Sequence, residues 1–179
     1  AALWQELGTQ EALKSLASSG VAAAVERAIA AALHEAWREA DELMRHLLDL
    51  EAAWLAERVL EMVAADLARA AFVVERVEAT CSARIGPLAL ELRPDRIDRL
   101  GDGSLAVIDY KTGASADVQA WLDERPRLPQ LPAYVLALGA DRVGAAVFAR
   151  LRSGDTGYVG VAREAGLLPG LRLPGSGGL

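Results

Sequence analysis

The segment "VIDYKTG", residues 107–113, decides how the chain is organised. Val107 and Ile108 belong in a core strand, yet Asp109 and Lys111 stand two positions apart within it. Side chains of a strand alternate between faces, so these two charges share one face while Ile108 and Tyr110 share the other. A buried charge is costly unless it is paired or coordinates a metal. Two readings follow: a salt-bridged pair at a strand end, or half of a metal-dependent active site.

The residues just upstream bear on that choice. In "LRPDRIDRLGDGS" (92–104), Asp95 precedes Asp109 by fourteen residues, and "GDGS" is a hairpin turn signal. A hairpin centred there lays the end of the Asp95 strand beside "VIDYK", so two carboxylates and a lysine converge at one edge. Two carboxylates suffice for Mg2+, which keeps much of its water shell. Such a metal lowers the pKa of bound water, and a lysine beside it positions the nucleophile or neutralises developing charge. Asp98, three residues after Asp95, points to the opposite face of a regular strand, but a bulge would bring it in. Arg93, Arg96 and Arg99, spaced by three, share no single strand face and read as solvated flanks, with phosphate contact as the sharper alternative.

Further out, the texture divides the chain. Residues 1–70 read as helices: Thr9 is an N-cap candidate for "TQEALKSLA" and Gly20 marks a break. The run from Val21 to Ala70 contains no Gly or Pro and is too long for one ordinary helix, so a split near Asp49 is expected. Val25, Ile29, Leu33 and Trp37 form one i+4 stripe, and Trp54, Leu55, Val59 and Met62 another. From Phe72, β-branched alternating segments take over, with Gly86-Pro87 as punctuation. After a loop at 114–129, "PQLPAYVLALGA" reads as a helix, and "VGAAVFARL" and "GYVGVA" as a final strand pair. The expected fold is α/β: a mixed sheet of about five strands flanked by helices, with an N-terminal helical hairpin packed on it. Residues 1–70 form the helical part of the same domain, 71–165 the core, and 166–179 a Gly/Pro-rich flexible tail.

Composition narrows the function classes. Hydrophobic residues make up 53% of the 179, which excludes a disordered chain. The apolar runs are short and broken by charge, and no signal-like stretch opens the chain, so no membrane partner and a cytoplasmic location are expected. A single cysteine, Cys81, excludes an iron–sulfur cluster or zinc site built on four cysteines. It reads as a buried small hydrophobe. The net charge of −6 is uneven: residues 1–70 hold twelve acidic and six basic residues, residues 93–152 eight and nine. Carboxylates bound to metal would leave the second region positive, so the acidic total does not exclude DNA.

Here the chain resembles the RecB/AddB-type nucleases of the PD-(D/E)XK superfamily. "RPDRID" is similar to that family's "GRIDRID" segment, "VIDYKTG" to its Asp-Tyr-Lys-Thr/Ser motif, and "QLPAYVLAL" to its Gln-x-x-x-Tyr helix. The likeness implies a restriction-endonuclease-like sheet and Mg2+- or Mn2+-dependent DNA cleavage in repair or recombination, exonuclease rather than endonuclease. It implies Asp95, preferred over Asp98, and Asp109 as metal ligands and Lys111 as the catalytic lysine. Gln130 and Tyr134, one helical turn apart, would line the site. The implied partners are DNA and a helicase subunit or fused helicase domain. Two departures stand out. The family's early-helix Gly-x-x-x-His segment is absent, His34 in "ALHEAW" being a poor substitute, and that motif is expected upstream of Ala1. The cluster cysteines of AddB-type relatives are also missing. Weak or absent activity is therefore expected of the 179 residues, and the alternative is an inactive nuclease-fold module that binds DNA or a helicase partner.

Overall fold

The computed structural model describes residues 2–113, 118, 121, 128–171 and 173. Four helices come first: α1 (Ala2–Leu7), α2 (Gln10–Ser15), α3 (Ser18–Glu39) and α4 (Glu42–Ala68). Thr9 caps α2, its side-chain oxygen accepting from the Ala12 N–H at 3.0 Å. Gly20 does not break the helical run. It lies in the first turn of α3, where the backbone N–H groups need no partner inside the helix, and its own N–H donates to the Ala17 carbonyl. The long run divides at Ala40-Asp41, earlier than Asp49, because the Asp41 side chain accepts from the Met44 N–H at 2.8 Å and so starts α4. No helix among the described residues is long and apolar enough to cross a membrane.

Seven strands follow: β1 (Phe72–Val77), β2 (Cys81–Ile85), β3 (Leu88–Leu92), β4 (Arg96–Leu100), β5 (Leu105–Lys111), β6 (Val143–Arg150) and β7 (Gly157–Ala162). Helix α5 (Gln130–Leu138) connects β5 to β6. Strands β2 and β3 pair only with each other, while the main sheet runs β1-β4-β5-β6-β7. Its pairings are antiparallel except β5 with β6, which lie parallel as a helical crossover requires. The mixed five-stranded sheet expected from the pattern is therefore present. The β4–β5 turn is closed by Asp102, which accepts from the Ser104 N–H at 2.9 Å, and by Gly103 at φ +84°, where a side chain would be strained.

Each face of the sheet has its own core. One packs Leu100, Ala106, Ile108, Val147 and Ala149 under α1–α4 through Trp4, Leu13, Val25, Met62 and Val63. The other packs Ile97, Leu105, Val107 and Phe148 against Leu131, Tyr134 and Leu138 of α5. Buried on both faces, β5 and β6 read as nearly continuous apolar runs rather than alternating ones. In the segment from residue 166, Leu168 is buried in the helix-side core and Leu167 and Leu171 pack against it. Residues 174–179 lie outside the described residues.

Candidate active site

Alternation along β4 and β5 sorts their polar groups. Asp109 and Lys111 stand on the α5 side, whereas Arg96, Asp98 and Tyr110 stand on the side of the four N-terminal helices. The Lys111 ammonium lies 2.6 Å from Oδ2 of Asp109, a carboxylate only 1% exposed. It also donates to Oε1 of Gln130 at 3.1 Å. Gln130 Nε2 donates to the Tyr134 hydroxyl at 2.8 Å, and that hydroxyl donates to the Arg93 carbonyl at 3.0 Å. Gln130, Tyr134 and Lys111 thus form one network, and the helix face expected to carry the first two does so. Pro129 stands just before the first turn and Pro132 within it, where the missing N–H costs nothing.

Asp95 immediately precedes β4, and its Oδ2 accepts from the backbone N–H of Tyr110 at 2.7 Å. Its carboxylate therefore lies against the Asp109–Tyr110 peptide, at the same edge as Asp109 and Lys111. Burial holds the Asp109 carboxyl above its ordinary value; Lys111 opposes this and the Asp95 charge adds to it. Burial likewise raises the Tyr134 hydroxyl, so it stays a neutral donor.

Asp98 occupies a different environment. Its Oδ1 accepts from Arg96 Nε at 2.7 Å, and its Oδ2 accepts from Arg96 Nη2 at 2.8 Å and from Arg69 Nη2. Arg96 also reaches Asp66 at 3.0 Å and the Tyr110 hydroxyl at 3.1 Å. Tyr158 donates to Asp66 at 2.6 Å. Arg96 is accordingly no solvated flank: it is 0% exposed, its guanidinium 3.8 Å from the centre of the Trp4 ring. Burial alone disfavours its charge, but Tyr110, Asp66 and Asp98 outweigh that and keep it a cation. Of Arg93, Arg96 and Arg99, Arg93 and Arg99 are exposed, and they pair with Glu78 at 2.6 Å and Glu75 at 2.7 Å.

The sequence reading missed this four-charge cluster because Asp66 and Arg69 sit at the end of α4, remote in sequence from β4. The one signal was their i, i+3 spacing on an apolar helix. Cys81 is half-buried rather than buried, as it lies in the small outer sheet. Trp121 packs on Phe148 with ring centres 5.4 Å apart. Most of the 114–129 loop lies outside the described residues.

A cleft of about 590 Å3 runs between α1, α3, α4 and the sheet and reaches Glu78, Asp95 and Tyr110. Every α3 side chain lining it is apolar, Ala28 and Ile29 among them. His34 is exposed and does not line it. Among the described residues no group of three or more His, Cys, Asp or Glu side chains could hold a metal. Two carboxylates do stand together at the β4–β5 edge, and Oδ2 of Asp109 is buried with no hydrogen bond besides its ion pair. That donor set fits a hard, mostly hydrated divalent cation and does not fit zinc.

A mixed five-stranded sheet flanked by helices is the architecture of the restriction-endonuclease-like fold. The chain belongs to the PD-(D/E)XK nuclease superfamily, whose family profile matches residues 6–169. Members of that superfamily generally use divalent metal ions. No curated protein matches the sequence.

The raised Asp109 carboxyl has a measurable consequence. Because its folded value exceeds the unfolded one, its contribution favours folding at pH below the ordinary carboxylate value and is lost as pH rises through the raised one. At neutral pH without metal, Asp109→Asn should therefore melt at or above the parent temperature. A lower melting temperature at pH 7 in a metal chelator would show that the ion pair with Lys111 outweighs burial.

Proposed function

We propose that this chain is a RecB/AddB-like nuclease domain that hydrolyses DNA phosphodiesters with Mg2+ or Mn2+, acting in repair or recombination and from strand ends. The observation that carries the reading is the single network Asp109–Lys111–Gln130–Tyr134, with Asp95 on the adjoining peptide. In this reading Asp95 and Asp109 hold the cation, which supplies Lewis-acid polarisation of the phosphate and activation of water. The pairing of Asp98 with both Arg96 and Arg69 supports Asp95 over it as the ligand. The Lys111 ammonium faces the attacked phosphate and neutralises charge as it develops. Gln130 fixes the Lys111 side chain from α5, and Tyr134 fixes Gln130 in turn. A helicase partner or fused helicase follows from the same family likeness, and a cytoplasmic setting is the reading the short, charge-broken apolar runs support.

The apolar α3 wall of the cleft favours a qualified version: with two carboxylates and no ligand from that helix, cation affinity should be weak. The expected result is millimolar Mn2+ binding by calorimetry and slow cleavage of linear DNA that Lys111→Ala abolishes. The second reading, an inactive nuclease-fold module, rests on that same wall. DNA binding with no cleavage at any Mg2+ or Mn2+ concentration would establish it and sink the first.

A further inference from the structure

We propose that Arg96 and Tyr110 are positioning residues that hold Asp95 in place from the opposite face of the sheet. The proposal rests on the reading of Asp95 and Asp109 as cation ligands. Its basis is a closed circuit of bonds around the β4–β5 pair. The backbone N–H of Tyr110 donates to Asp95 Oδ2 at 2.7 Å. Across the sheet, the Tyr110 hydroxyl accepts from Arg96 Nη1 at 3.1 Å. Arg96 follows Asp95 directly in the chain, which closes the ring.

The circuit is rigid because Arg96 has no freedom to turn. Its Nε and Nη2 donate to the two oxygens of Asp98 at 2.7 and 2.8 Å, and its Nη1 also reaches Asp66 at 3.0 Å. The Trp4 ring covers its plane at 3.8 Å. Asp66 is fixed in turn by the Tyr158 hydroxyl at 2.6 Å. The phenol pins Tyr110 along β5 and the Tyr110 N–H takes one oxygen of Asp95; among the described residues the other oxygen has no hydrogen-bond donor, which leaves it for a cation. Outer partners of this kind matter to metal sites because they set the orientation of a ligand before the ion arrives.

The cluster supplies its own control. Tyr110→Phe and Tyr158→Phe each delete one buried hydroxyl from the same charge network, but only Tyr110 touches a proposed ligand. Both variants should lose melting temperature to a similar degree. Only Tyr110→Phe should weaken Mn2+ binding, by roughly 3- to 10-fold in calorimetric midpoint, less than a directly bonded outer partner because the link passes through backbone. Arg96→Lys, which keeps the charge but cannot span Asp98 and Tyr110, should shift the midpoint the same way. The titrant is MnCl2 alone, so the readout does not depend on turnover. An unchanged midpoint in Tyr110→Phe, or an equal shift in Tyr158→Phe, overturns the positioning role while the site reading stands. Absence of Mn2+ binding by the parent overturns the site reading and this proposal with it.

Discussion

Asp98→Ala is expected to lower the melting temperature by roughly 10 °C, the largest stability loss of any single substitution considered. Asp98 is 0% exposed and accepts from both Arg96 and Arg69. Its removal leaves two buried guanidinium groups with Asp66 as the one remaining carboxylate of the cluster. Breaking a buried ion pair from one side costs about 3–5 kcal/mol, because the surviving charge is stranded in a medium that does not solvate it. For a chain of this size each kcal/mol corresponds to about 2–4 °C. Asp98→Asn, which keeps the volume and one acceptor, should fall between parent and alanine variant. Thermal melts followed by circular dichroism decide the matter. A change of only a degree or two for Asp98→Ala would mean that water reaches the cluster.

On the proposed nuclease reading, Lys111→Ala is expected to reduce DNA cleavage by about 10^2- to 10^3-fold, the range seen when one preorganised charge-stabilising donor is deleted. Its side chain is 27% exposed and its ammonium meets Asp109 and Gln130, so the fold does not depend on it. Mn2+ binding should survive or tighten, since the ammonium competes with a cation for Asp109. Single-turnover rates at saturating Mn2+ separate the two effects. A variant that binds Mn2+ more weakly and cleaves at the parent rate once saturated would make Lys111 a site-shaping residue instead of a catalytic one. Gln130→Ala should show a smaller loss of rate, because Lys111 keeps its contact with Asp109.

The strand alternation of 107–111 was legible at once, since it put Asp109 and Lys111 on one face without reference to anything distant. The Gln130–Tyr134 pair was legible for the same reason: helical spacing is local. "GDGS" located the hairpin because the turn needs Gly103 at positive φ and Asp102 as a cap. What failed to show was whatever depends on a remote partner. "RPDRID" looks like a solvated charge run until Asp66 and Arg69 arrive from α4 to neutralise it. The division of the helical half was misplaced as well. Asp41 and Asp49 are equally good caps by residue type, and it is Asp41 whose side chain caps α4 by accepting from the Met44 N–H.

Strands β4 and β5 carry two chemistries back to back, and the dependence between them runs one way. The charge cluster under the N-terminal helices needs nothing from Asp95, Asp109 or Lys111 to stay closed, whereas those residues take their placement from strands the cluster holds. Over generations, mutation can therefore change the Asp95–Asp109–Lys111 edge and leave a stable, heritable scaffold behind. A lineage built on this plan is free to vary that edge and keep its shape, but cannot easily do the reverse.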